Sequence, residues 1–253
     1  MKEKIYTIPI NDALDAHDEC PFCFIERKVE QDQLDFVLGH GASYMESDIR
    51  DITDKYGFCR EHFKKMFLYQ NALGNAWILK THYKKTIEEM TKEIKSYKPG
   101  KTSLMSKFSK GGSDVNPVTA WTRGREKSCY ICKIFNESYD RYMDTFIEMY
   151  KTEPEFVEKV KNCKGFCLTH FGDVIDMADR KMNEQEKNEF YDMISSLQLE
   201  NMKRLEEDVS WMIEKYDYRN KDADWKNSKD AVQRGMQKLK GGYPADEDYR
   251  MKK

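Results

Sequence analysis

Apolar residues recur along this chain at helical spacing and almost nowhere at the alternation of a strand. Past Cys23, the residues Phe24, Ile25, Val29, Phe36 and Val37 form a rough stripe of 3.6-residue period. The stripe is cleaner past Cys132, where Phe135, Tyr139, Tyr142, Phe146 and Tyr150 follow at steps of four, three, four and four. Short helices are expected over about residues 46–55 and 154–162, and Pro154 suits a first helical turn. Ile49 and Ile52 correspond to Val157 and Val160, and Gly57 and Gly165 end the two helices in tight turns. A long third helix follows in each half. The first spans about 61–95, with Phe63, Phe67, Trp77, Tyr83, Ile87, Met90 and Ile94 inward and a break at Gly74. The second spans about 184–216, with Phe190, Ile194, Leu197, Leu205, Val209 and Met212 inward. No alternating run of β-branched residues is bounded by turn residues. The pattern predicts an all-α protein.

The two halves share more than their stripes. Cys20-Pro-Phe-Cys23 precedes Gly57-Phe58-Cys59-Arg-Glu-His62-Phe63, and Cys129-Tyr-Ile-Cys132 precedes Gly165-Phe166-Cys167-Leu-Thr-His170-Phe171. The offset is 109 residues for the CxxC pairs and 108 for the CxxH pairs, so the unit is repeated almost in register. Three thiolates and an imidazole match the needs of a tetrahedral zinc ion. Each CxxC opens a helix, whose positive end favours ionised thiols. Cysteine and histidine three apart at a helix start project toward one point. The expectation is one zinc per repeat: Cys20, Cys23, Cys59 and His62 in the first, Cys129, Cys132, Cys167 and His170 in the second. Each ion then ties the first helix of its repeat to the third, across about 35 residues. The seventh cysteine, Cys163, has Lys55 as its counterpart and reads as a spare thiol. His17, His40 and His82 are not repeated and read as surface or packed histidines.

The domain organisation that follows is a first helical repeat over 1–96, a flexible linker or loop over 97–127, a second repeat over 128–216, and a C-terminal helix and tail over 217–253. The linker reading rests on Lys-Pro-Gly-Lys, Ser-Lys-Gly-Gly-Ser and Asn-Pro, with Trp121 and Val118 at its end. The C-terminal helix is expected over about Trp225–Leu239, stopped by Gly241-Gly242, with frayed residues beyond it.

Composition narrows the function without naming it. A formal net charge of −2 gives no global attraction to nucleic acid or membrane. No segment approaches about 18 consecutive apolar residues, and Met-Lys-Glu-Lys-Ile lacks a signal-peptide core, so a cytoplasmic protein is expected. In that compartment cysteines read as metal ligands ahead of disulfides. Residues 57–110 hold twelve Lys or Arg against four Glu, interleaved with Phe67, Tyr69, Trp77 and Tyr83. Such a mixture contacts nucleic acid in some proteins, but lysines covering the outer face of an apolar-faced helix explain it as well. Gly100-Lys101-Thr102 lacks the rest of a phosphate-binding loop.

A catalytic zinc keeps an open position, whereas each repeat supplies four ligands. No catalytic residue is identified. Thiol redox chemistry or an iron–sulfur cluster is the alternative use of the same cysteines. The doubled units, with Trp225 and Ala231-Val-Gln-Arg before Gly241-Gly242, resemble an uncharacterised bacterial family of clostridial type. That resemblance implies the same eight ligands and names no substrate. The reading is a zinc-stabilised helical binding or scaffold protein for an unknown protein or small-molecule partner, with the oligomeric state open.

Overall fold

The structure is a computed structural model describing residues 4–97, 116–242 and 244–245. Among the described residues the chain is entirely helical. The helices are α1 (Lys4–Asp15), α2 (Pro21–Leu38), α3 (Ser47–Tyr56), α4 (Arg60–Leu68), α5 (Ala72–Ser96), α6 (Pro117–Glu126), α7 (Tyr130–Thr152), α8 (Pro154–Lys161), α9 (Leu168–Lys181), α10 (Glu184–Glu214) and α11 (Ala231–Lys240). None of them is long and apolar enough to cross a membrane.

Several expected elements form with small shifts in their bounds. The short helices are α3 and α8, and the long second-half helix is α10, fixed at its start by a reciprocal capping box between Asn183 and Glu186. The long first-half helix is two helices. Its break falls before Gly74, at Gln70, which has φ +66°. Asn71 then caps α5, accepting from Gly74 N at 2.8 Å while its own amide donates to Leu38 O at 2.6 Å. The expected C-terminal helix starts later, at Ala231. Part of the expected 97–127 loop is folded: Asn116 caps α6 and Pro117 occupies its first turn. Residues 98–115 of that loop, and the tail apart from 244–245, lie outside the described residues.

The compact units do not follow the repeat boundaries. One unit combines Met1–Val29 with Asn136–Glu247, and the other holds Glu30–Phe135. Both cuts fall inside helices, α2 and α7. The first unit's core gathers Ile10, Leu14, Phe22, Phe146, Phe156, Phe166, Phe190 and Ile194. Its aromatic rings meet edge-on or tilted, as in Phe146 with Phe156 at 5.4 Å and Tyr150 with Phe190 at 4.7 Å. The second unit's core is smaller: Leu34, Val37, Leu38, Phe58, Met66, Tyr69, Ile78, Tyr130 and Ile131.

Not every apolar stripe faces a core. Tyr142 and Phe146 on α7, and Phe190, Ile194 and Leu205 on α10, are buried. By contrast Phe36, Ile52, Phe67, Tyr83, Ile87, Met90 and Ile94, expected inward, are exposed, Phe67 at 79%.

The first unit also buries charge. Glu19 is enclosed by Arg204 at 2.6 Å, Lys238 at 3.2 Å and Arg234 at 3.4 Å. Lys238 Nζ further donates to the backbone oxygens of Glu19 and Lys164. Burial pulls the Lys238 ammonium below its usual value, and the geometry that sets Glu19 beside it opposes the shift. Here that geometry draws α11 onto the loops that carry Cys20 and Cys167.

Candidate metal centres

The eight cysteine and histidine residues converge into two clusters, and the partners are exchanged between the repeats. Cys20 and Cys23 meet Cys167 and His170, while Cys59 and His62 meet Cys129 and Cys132. The expectation that each repeat closes its own site is thereby corrected. The reason lies along the helices. His62 meets Glu30 on α2 and His170 meets Tyr139 on α7, each seven residues past the second cysteine of its own repeat. At about 1.5 Å per residue that is roughly 10 Å along the helix, so neither CxxH lies at its own CxxC.

In the first cluster the sulfurs of Cys20, Cys23 and Cys167 lie 3.2, 3.5 and 3.3 Å from His170 Nδ1. In the second, those of Cys59, Cys129 and Cys132 lie 3.2, 3.2 and 3.4 Å from His62 Nδ1, and the Cys59 and Cys132 sulfurs are 4.0 Å apart. A tetrahedral ion with Zn–S of about 2.3 Å and Zn–N of about 2.0 Å separates S from N by roughly 3.5 Å and S from S by roughly 3.8 Å. Both clusters have the dimensions and donor set for one such ion. All four donors of the first cluster are buried; in the second, Cys59 and Cys132 are half-buried.

Helix starts aim the donors. Cys59 and Cys167 are the N-caps of α4 and α9, and each CxxC straddles the start of α2 or α7. Positive helix ends thus face the sulfurs. The ligand loops are fastened differently in the two sites. In the second, Tyr130 N donates to Gly57 O at 2.8 Å. In the first, Lys238 bridges the loops as described. Gln198 also grips Phe166, accepting from its N and donating to its O, both at 2.9 Å. Gly241, just past α11, lies so close that a Cβ on it would stand 3.5 Å from the sulfurs of both Cys23 and Cys167.

Residues 1–246 match DUF6062, a family of unknown function. The chain belongs to that family. No curated protein and no solved structure matches it. Membership therefore brings no ligand or reaction with it, and the chemistry rests on the DUF6062 chain's own residues.

Within each cluster the imidazole holds a proton at the expense of a neighbouring thiol. Burial opposes charge on His62, yet the neighbouring Cys129 and Glu30 outweigh it and push the imidazole up to about 10. Burial likewise raises the Cys129 thiol, but the bond with His62 prevails and brings it down to about 6. In the first cluster, hydrogen bonds from Cys20 and Cys23 pull Cys167 well down, and Cys167 in turn helps push His170 up to about 10 against burial. Each site thus contains a thiolate, the form that ligates metal, beside an imidazolium that gives up its proton when a metal binds.

Sequence reasoning missed the groups behind the ligands. His62 Nε2 faces Glu30 Oε1 at 3.0 Å. His170 instead packs its ring against Phe22 and Tyr139, with centroids 5.7 and 5.6 Å away. Glu30 and Tyr139 are 109 residues apart, the offset of the CxxC pairs, so extending the repeat alignment past the cysteines was the available signal. Lys238 and Gln198 belong to no repeated pattern. Cys163 is buried beside the first site, its thiol held up at about 11 by burial, and is not among the clustered donors.

Proposed function

We propose that each cluster holds one zinc ion as a structural cross-link, and that the protein is an intracellular, zinc-stabilised helical binding or scaffold protein. The observation carrying this reading is that each cluster supplies four donors within 4.8 Å of one another, a closed ligand shell. A closed shell leaves no position for substrate water and directs the ion's binding energy into folding.

Elemental analysis and a visible absorption spectrum of protein purified without oxygen test the reading. About two zinc ions per chain and no visible band are expected. Iron, with a broad band near about 400 nm of the kind given by thiolate-ligated clusters, would overturn it in favour of an electron-transfer or redox-sensing protein. One observation favours that second reading at one site only. Cys59 and Cys132 are half-buried, so oxidants reach the second cluster more readily than the first.

A further inference from the structure

A cavity of about 590 Å³ opens in the first unit, its charged lining made of Lys164, Arg204, Lys226, Lys229, Asp230 and Arg234. Its volume lies within the range of small-molecule sites. Its lining does not resemble an apolar ligand pocket: five cationic side chains face one carboxylate, and no aromatic or aliphatic side chain takes part.

The cations divide into two sets. Arg234 is buried and held by Asp208 at 3.0 Å and Asp230 at 2.9 Å, and Arg204 is anchored to Glu19. These arginines form a fixed wall, and Asp230, the lining's carboxylate, is spent on it. Lys164, Lys226 and Lys229 have no acidic partner among the described residues. Lys226 is instead steadied over the Trp211 ring, its Nζ 4.1 Å from the centroid. Three lysines without an acidic partner line one concavity and raise the positive potential there, in a protein whose overall charge is slightly negative. Of the lining asparagines, Asn162 and Asn201 donate their amide N–H to Glu158 O and Leu197 O, and Asn227 adds a neutral polar group to the wall.

We propose that this cavity binds a small, non-aromatic organic phosphate. Lysine ammonium groups suit phosphate oxygens as point charges. The missing aromatic wall disfavours a nucleobase, and the Asn227 amide suits a sugar hydroxyl. The inference deepens the binding-protein reading above by giving it a ligand class, and rests on it to that extent.

Calorimetric titration of the full zinc-loaded chain with a hexose bisphosphate tests it, with inorganic phosphate and the free hexose as comparisons. Saturable binding of the bisphosphate is expected, weakened about tenfold or more by the paired change Lys164→Gln and Lys229→Gln. The pair Lys84→Gln and Lys85→Gln on α5 should leave it unchanged. Absence of saturation up to about 5 mM, weaker than a millimolar site, overturns the proposal. So does equal weakening by both pairs, which marks general charge attraction. Equal affinity for inorganic phosphate overturns the organic ligand. Zinc is measured on the same samples, which separates the two readings. Phosphate binding without zinc defeats only the structural-zinc reading, and zinc loading without phosphate binding defeats only this one.

Discussion

Glu30 Oε1 stands 3.0 Å from His62 Nε2, the ring nitrogen opposite the one that faces three cysteine sulfurs. Glu30 also receives Lys65 Nζ on its other oxygen. A carboxylate in that place fixes the tautomer and orientation of a ligating imidazole and makes it a better donor. Glu30→Gln is therefore predicted to weaken zinc binding at the second site by about 10–100-fold. Competition with a chromophoric chelator should show one zinc of the pair released earlier. Identical release from the variant and the natural chain would dismiss a role for Glu30.

The exchange of ligands between repeats has a stoichiometric signature. Cys20→Ser combined with Cys167→Ser strikes one cluster and should leave about one zinc per chain. Cys20→Ser combined with Cys59→Ser strikes both and should leave about none. Pairing within repeats requires the opposite result, so native mass spectrometry of the two double variants decides between the arrangements.

What the sequence revealed, and what it concealed, divides along the same line. The spacing inside CxxC and CxxH is local, and it is enough to pick out Cys20, Cys23, Cys59, His62 and their repeats. Which CxxC meets which CxxH depends on where along α2 and α7 each CxxH packs, at Glu30 and at Tyr139, which no local spacing records. Periodicity shows the same limit. Phe190 and Ile194 lie on a regular stripe and are buried, while Tyr83 and Ile87 lie on another and are 64% and 60% exposed. A stripe describes one helix face; what covers that face is decided elsewhere in the chain.

Gly165 is a position where a single methyl group should do damage through one identifiable neighbour. Its φ is +74°, and a Cβ there would stand 2.7 Å from Gln198 Oε1. The left-handed backbone costs an alanine roughly 1–2 kcal/mol. Displacing Gln198 forfeits two hydrogen bonds to Phe166 worth about 1 kcal/mol each. Gly165→Ala is predicted to destabilise the chain by about 3 kcal/mol. Adding Gln198→Ala should cost less than the two separate losses combined. Strict additivity in denaturant titrations would rule out the clash as the cause.

Asp54 gives stability a pH dependence of definite sign. Burial holds its carboxyl above the usual range, although Thr81 Oγ1 donates to it at 2.9 Å. The folded chain therefore takes up this proton more readily than the unfolded chain, whose carboxyl titrates near about 3.9. Ionised Asp54 costs stability at neutral pH, and the cost fades as pH falls through its raised folded value. Asp54→Asn keeps an acceptor for Thr81 and should raise the melting temperature at pH 7, with a gain that shrinks toward pH 4. A loss at pH 7, or a gain independent of pH, contradicts the raised carboxyl.

The two ligand sets are nested along the chain, one span lying wholly inside the other. Cys129 follows His62 by 67 residues, while His170 follows Cys23 by 147. During synthesis at about 5–20 residues per second, the inner set is complete with Cys132, roughly 4–14 s after its histidine is made. The outer cysteines wait roughly 7–30 s for theirs. The order of assembly is thus written into the connectivity: the inner centre can close on a nascent chain while Cys20 and Cys23 still stand exposed as a reduced pair. No fragment containing only one repeat can complete either centre, so the duplicated halves have become mutually dependent parts of one chain.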